Sequence, residues 1–538
     1  MSASGYSSHF SIVGEPLFMS RRVFRSMSVF GLVTLLSRIT GLWRDIVYAS
    51  LFTALVNDAW IVAYQIPNFL RRLFAEGAFS QAFVPVVSQY RTQRSNDEVR
   101  ELVDSVAGTL GGFLLVLSLI GSLSAPVLIW ITASGFAAGT PKFDMAVAML
   151  HWTFPYLFFV SMTALAGGVL NSYERFSIPA FSSVLLNIIM IIAALYVSPH
   201  MAKPYMALAF GVFVAGIAQV LIHLPVLLKL KLLRRPRWNL NHEGVRRIGK
   251  LMLPAIVGSS MGQISVLLST SIATQLVDGS VFWLYSANRL VEFPLGVFSI
   301  GLATVILPSL SSHHAADAPD RFNAMLDWGL KILFVIVVPA SVALYVLATP
   351  LTTTIFYHGK FTLESLRMTS WAVMAYSVAL LAWSLVKVLA PGYFARQDTR
   401  TPVRTAAQAF GLNMILNIIA LIALWLTGHL RDPGMHVLLA TATAAGAVLN
   451  AWLLYRGLRK QNVYTPGAGW KALLLRVMIA TVLMALVLHF CSGDGAAWAT
   501  MRNIRRVVWL TELVIGGAVV YFASLWLCGM RFAHLKHN

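Results

Sequence analysis

The feature that most limits this chain is the recurrence of apolar windows of about 20 residues or more, each long enough to cross a ~30 Å hydrocarbon layer as a helix. Within such a layer a helix satisfies its own backbone polar groups. Fourteen such segments lie near 28–52, 58–90, 103–133, 145–170, 177–197, 205–230, 250–275, 280–312, 323–348, 369–395, 401–426, 434–456, 470–491 and 506–530. Only 12% of the 538 residues are charged, about half of the ~25% usual in soluble chains. The reading is an all-α polytopic membrane protein with fourteen transmembrane helices.

A net charge of +20 raises the question of nucleic acid, but the basic residues sit in short connectors, and no RNP-like motif or long basic tail is present. Their placement follows the cytoplasmic bias of Lys and Arg in membrane-protein loops. The connector "KLKLLRRPRWNLNHEGVRRIGK" (229–250) is the most basic, and Arg91, Arg94, Arg100, Arg396, Arg400, Arg404, Arg456, Arg459 and Lys460 mark the same side. Connectors 53–57 and 276–280 hold no Lys or Arg, so both termini are expected on the cytoplasmic side. Arg502, Arg505 and Arg506 depart from that pattern. Residues 1–24 lack the basic and apolar regions of a signal peptide and read as an extension. Cys491 and Cys528 lie in apolar stretches and read as small buried hydrophobes rather than a disulfide or metal site.

The chain repeats itself. "LNIIMIIAALY" (186–196) returns as "LNIIALIALW" (416–425), "VLNSYERFSIP" (169–179) as "VLAPGYFARQDTRTP" (388–402), and "VPVVS" (84–88) as "LPSLS" (307–311). The offset is about 220–230 residues, or six segments. Expected units are the extension 1–24, a first six-helix lobe 25–230, a basic linker 231–249, a second lobe 250–457 and two extra helices within 458–538. Repeated halves with a polar site between them are a common transporter plan.

Charges within the apolar segments are costly, roughly 2.5–3.5 kcal/mol for a central arginine, and so point to an interior or a wet cavity. Arg72 and Glu76 are four apart and can pair on one helix face. Arg71 shares its stripe with Asn68 and Tyr64 and has no acid on its own helix at that spacing. Arg38 and Asp45, seven apart, share a stripe; Arg44 shares another with Ser37, Gly41 and Tyr48. Asp58 reads equally as a helix N-terminal acid or as the partner of a cavity arginine. Arg289 has Glu292 three residues on, and Lys387 is placed to snorkel to a membrane face. Arginine's planar fork suits phosphate, so the cargo is expected to be anionic and phosphate-bearing. No GxxxxGK[ST] marks an ATP-driven engine, and no HExxH or paired Cys/His array marks a metal enzyme. No cofactor is expected. His151, His223 and His358 are scattered, and no nucleophile–base constellation assembles, so a transporter is expected rather than an enzyme.

The stretches "SRITGLWRD", "NDAWIVAYQIPNFLRRLFAEGAFSQAFVP", "RFSIPAF", "SANRLVEFPLGV", "FYHGKFT" and "KVLAPGYFARQDTRTPV" resemble the signatures of the MurJ (MviN) family of bacterial lipid II flippases. That family belongs to the multidrug/oligosaccharidyl-lipid/polysaccharide exporter superfamily. The resemblance implies two six-helix lobes around a V-shaped cavity and two last helices forming a groove for a polyprenyl tail. It implies transport of undecaprenyl-pyrophosphate-linked disaccharide-pentapeptide from the cytoplasmic to the periplasmic leaflet of the inner membrane. The implied partners are lipid II, membrane lipids and other wall-synthesis proteins. The family's cavity arginines fall on Arg44, Arg71 and Arg289, and its acid in segment 2 on Asp58; Arg38 and Glu76 match further motif positions. Two departures stand out. Asn288 replaces an Asp frequent before the second-lobe arginine, and segment 250–275 lacks the carboxylate with which some relatives bind sodium, leaving Asn413 and Asn417 as the oxygen donors of an ion site. The competing readings are a cation-coupled drug exporter, which would line its cavity with carboxylates, an exporter of another polyprenyl-linked oligosaccharide, and a scaffold in which the arginines are dispensable.

Overall fold

The computed structural model describes residues 21–73, 78–232 and 235–531, which form helices joined by short turns. The first half holds α1 (Arg21–Leu51), α2 (Ala54–Arg71), α3 (Ala78–Gln93), α4 (Asn96–Leu123) and α5 (Ala125–Thr132). It continues with α6 (Pro141–Thr153), α7 (Tyr156–Ser172), α8 (Ser177–Ile192) and α9 (Met206–Lys229). The second half holds α10 (Glu243–Ala273), α11 (Ser280–Pro294), α12 (Gly301–Ala315) and α13 (Pro319–Val346). After these come α14 (Ala348–Phe356), α15 (Leu363–Phe394), α16 (Arg400–Thr427) and α17 (His436–Lys460). The chain ends with α18 (Trp470–Ser492), α19 (Gly495–Thr500) and α20 (Asn503–Leu527).

Helix occupies every one of the apolar segments read from the sequence, within the described residues. Several segments divide where the local chemistry requires it. Pro155 lies between α6 and α7, and Pro294 ends α11 before a π-helical turn, Leu295–Ile300, leads into α12. Proline removes a backbone donor and crowds the preceding turn. Among the described residues, eleven helices are long and apolar enough to cross a membrane. Segments 28–52, 58–90 and 250–275 lie outside that set; the first two carry Arg38, Arg44, Asp45, Asp58, Arg71 and Arg72.

Packing separates into regions. One core gathers Tyr48, Trp60, Leu114, Leu157, Ile191 and Leu208 from the first half. Another gathers Leu290, Leu326, Leu333, Val373, Leu389 and Leu454 from the second. A third, around Val477, Met484, Leu488, Leu513 and Tyr521, sets α18 and α20 against Val335 of α13. Lipid tails are as apolar as leucine, so close packing and polar anchors must supply what the hydrophobic effect supplies in water. The anchor of the last helices lies on α13, where Asn323, Asp327 and Lys331 share one stripe. Asp327 accepts hydrogen bonds from Tyr464 Oη at 2.8 Å, the Gly467 N–H at 3.1 Å and Trp470 Nε1 at 2.6 Å, and pairs with Lys331 at 2.7 Å. Asn323 exchanges two hydrogen bonds with Thr465. The connector that launches α18 is thereby tied to α13.

One expectation changes, and one departure is accounted for. Cys491 is exposed and Cys528 half-buried, both as free thiols, so neither fills a core position. Arg506, one of three arginines that broke the connector pattern, is buried and donates to the Tyr357 carbonyl at 3.1 Å and the Ala499 carbonyl at 2.7 Å. It serves as a joint between the start of α20 and the end of α14.

Candidate functional site

Three polar stations lie along the contact between the halves. The first is at the start of α11. Asp58, fully buried on α2, accepts the Gly279 N–H at 2.7 Å and the Phe282 N–H at 2.8 Å, and meets Lys142 Nζ at 2.9 Å. Lys142 also meets Asp278 at 2.8 Å. Gly279 has φ +100°, a conformation that favours glycine, and this frees the first N–H groups of α11 to point at the carboxylate. A carboxylate is favoured at a helix N-terminus. Asp58 fills that role for a helix of the other half rather than for its own.

The second station lies about 15 Å further along α11, ten residues from Gly279 at 1.5 Å each. Asp45 of α1 sits between two guanidiniums. Its Oδ1 accepts from Arg44 Nε at 3.0 Å and the terminal nitrogen Nη2 at 2.7 Å, and its Oδ2 accepts from Arg289 Nε at 2.7 Å. Tyr285 Oη lies 3.4 Å from Asp45 Oδ2 and from Arg44 Nη2. Arg44 Nη1 donates to Asn187 Oδ1 at 3.2 Å. The Asn187 amide is itself oriented, because its Nδ2 donates to the Ser37 carbonyl at 3.1 Å and Thr40 Oγ1 at 3.2 Å. Arg289 also meets Glu292 at 3.3 Å, and Asn288 donates to the same carboxylate at 3.0 Å.

The third station is at the far end of α2, about 20 Å from Asp58 along the helix axis. Arg71 donates from Nε and Nη2 to Asn68 Oδ1 at 3.0 and 2.7 Å. Arg72 reaches across to Gln263 Oε1 of α10 at 3.2 Å. Glu76, the expected partner of Arg72, lies outside the described residues. Arg38 packs its guanidinium over Gly296, where a side chain would collide with it.

The structure brings Arg44 and Arg289 together, puts Arg71, Arg72 and Asn68 at another depth, and puts Asp58 at a third. Arg44 is charge-paired rather than facing an open polar surface. Asp45 joins Arg44 of its own helix to Arg289 of α11, and these contacts replace the Arg38–Asp45 compensation suggested by their shared stripe. Asn187, Tyr285, Lys142 and Asp278 escaped sequence reasoning. Asp45 was noticed only as a partner for Arg38, although it adjoins Arg44 in the chain; Lys142 opens α6, away from the motifs that drew attention. Asn413 and Asn417 are buried on α16 and bonded to each other at 3.0 Å, with Asn417 Oδ1 left without a hydrogen-bond partner. One spare carboxamide oxygen is a poor match to the several oxygens a hard cation gathers, and no cluster of three His, Cys, Asp or Glu suited to a metal occurs among the described residues.

A family model described as "Lipid II flippase MurJ" matches residues 47–509. The "Probable lipid II flippase MurJ" of Haemophilus influenzae is 41% identical over 517 residues, covering 94% of this chain and 99% of that protein. The "Lipid II flippase MurJ" of Burkholderia cenocepacia is 38% identical over 523 residues, covering 96% and 99%. Among solved structures, "Lipid II flippase MurJ, inward closed conformation" aligns with TM-score 0.75 at 23% identity, over 92% of this chain and 98% of that one. An inward-facing multidrug transporter of the MATE family aligns with TM-score 0.62 at 13% identity, over 81% and 98%. At those identities the two structures speak to the fold alone.

Proposed function

The chain belongs to the MurJ family of lipid II flippases, and from that membership we propose how its polar stations move the cargo. It is a multi-pass membrane transporter, not an enzyme, and its substrate is lipid II. We place fourteen crossings: the eleven apolar helices plus α1, the α2–α3 pair and α10, in two six-helix lobes followed by two further helices. Basic connectors and both termini lie in the cytoplasm, and transport runs from the cytoplasmic to the periplasmic leaflet of the inner membrane by alternating access. Other wall-synthesis proteins are proposed as neighbours.

The observation that carries the mechanism is one carboxylate, Asp45, shared by guanidiniums from both halves. Without cargo, Asp45 satisfies Arg44 and Arg289 in a dry setting where an unpaired charge is costly. A pyrophosphate brings more negative charge and more acceptor oxygens than one carboxylate. Arg289, whose side chain is 30% exposed against 9% for Arg44, is the arm free to turn to it, while Arg44 holds Asp45. That exchange breaks a bond between α1 and α11 and so couples cargo to lobe movement. Arg71, two turns from Tyr64 on α2, offers a second fork nearer the cytoplasmic end, with Asn68 orienting it; Arg38, Arg72 and Glu76 support that side. Asp58 with Lys142 closes the periplasmic end. Asn413 and Asn417 stiffen α16, and membrane potential rather than sodium drives the cycle.

The function is tested in cells depleted of their own flippase. Expression of this chain should restore growth and return lipid II to the periplasmic leaflet, read by its accessibility to an impermeant enzyme. Continued lipid II retention on the cytoplasmic side, with the protein present in the membrane, would refute it. Topology is tested separately. With Cys491 and Cys528 replaced by alanine, Arg235→Cys should resist an impermeant thiol reagent in intact cells and Lys360→Cys should react. Both residues are exposed. Equal labelling would overturn the assignment of sides.

A further inference from the structure

We propose that the connector between α9 and α10 is a binding surface for anionic phospholipid headgroups, built on the outer face of α4. Residues 229–250 contain eight Lys or Arg and one acid, Glu243. That acid is already engaged by Arg94 at 3.1 Å, so it does not neutralise the connector.

The connector does not hang free in water. The Arg237 N–H donates to the Asp104 carbonyl at 3.0 Å and the Asn239 N–H to Thr109 Oγ1 at 3.2 Å. The backbone of Arg237 lies against Gly108 and the ring of Trp238 against Gly112, contacts that a side chain at either glycine would block. The chain thus runs about 12 Å along α4, from Asp104 to Gly112. The water end of α4 is marked by Asp97, Glu98, Arg100 and Glu101, and its exposed apolar band begins at Phe113 and Val116. Trp238, 60% exposed with its ring against Gly112, sits where the one gives way to the other, and Leu240, two residues on, is 55% exposed.

Exposed tryptophan and leucine beside arginines are poorly placed in water and well placed at a bilayer interface, where the indole lies at headgroup depth. Arg235 and Arg237 lie just before Trp238 in the chain and are exposed, so their guanidiniums reach the phosphate layer when the ring enters the interface. Basic residues at an anionic membrane surface each favour binding by about fivefold. Because α4 turns its apolar band outward, the ligand is bulk anionic phospholipid rather than the pyrophosphate of the cargo.

The test uses the full-length protein in phosphatidylcholine vesicles without lipid II, containing an equal fraction of brominated phosphatidylcholine or brominated phosphatidylglycerol. The Trp238 signal is the difference between the native chain and Trp238→Phe. Bromines on phosphatidylglycerol should quench it as if that lipid were enriched about fivefold or more. In the Arg235→Gln/Arg237→Gln chain the enrichment should fall to near one, while quenching by brominated phosphatidylcholine persists and shows that the ring still lies in the interface. Equal quenching by both lipids in the native chain, no quenching by either, or enrichment that appears only after lipid II is added would each overturn the proposal.

Discussion

Arg289→Ala is expected to abolish lipid II translocation while the protein reaches the membrane in normal amounts. The side chain is partly exposed, so its loss removes an intramembrane charge without opening a core cavity, and Asp45 keeps Arg44 as its partner at 2.7 Å. What is lost is the fork that turns to the pyrophosphate. One charge-assisted hydrogen-bonding partner contributes roughly 1.5–3 kcal/mol, or about tenfold to over a hundredfold in cargo affinity. Lipid II should accumulate on the cytoplasmic leaflet and growth should stop when the native protein is depleted. Arg289→Lys retains the charge but not the planar fork and should recover only part of the activity. Arg44→Ala and Arg71→Ala should also fail, and Arg71→Lys should be impaired. Arg44→Ala carries an added stability cost, because Asn187 and Asp45 lose a buried partner. Leaflet-resolved lipid II at matched protein levels is the measurement. Normal translocation by all three alanine variants would remove the arginines from the mechanism.

The second large effect is expected at Asp58. Asp58→Ala deletes the acceptor of two N–H groups at the start of α11 and one of the two carboxylates around Lys142. Removing one partner of a buried ion pair costs on the order of 3–5 kcal/mol. If that contact closes the periplasmic end, the loss shifts the gate equilibrium by more than a hundredfold. The reporter is Ser280→Cys, fully buried beside the contact, in the chain lacking Cys491 and Cys528. It should be unreactive to an impermeant thiol reagent with Asp58 present and readily labelled with Asp58→Ala. Asp58→Asn keeps an acceptor oxygen and should fall between. Unchanged protection in Asp58→Ala would show that the contact does not hold the gate.

Much of this was legible from residue order. The apolar windows located the long helices, though not the short α14 and α19 that lie between windows, and the arginines within them marked the polar region, since a charge in hydrocarbon demands a reason. The repeat placed Asn187 and Asn417 at matching positions of α8 and α16. It did not reveal that Asn187 meets an arginine while Asn417 meets another asparagine.

Helical spacing suggested partners for the charges, and it did so only within single helices. It paired Arg38 with Asp45 by their stripe, where the fold pairs Asp45 with Arg44 and with Arg289, 244 residues away. It offered Asp58 two roles, and the fold assigns a third, as a cap on a helix from the other half. Sequence by itself determined the class, the helices and which residues needed a polar setting, because burial in lipid taxes each residue according to its own chemistry. Which charges meet across helices was decided only by the tertiary structure, because an ion pair between helices depends on their relative depth and rotation, and helical periodicity is silent about both.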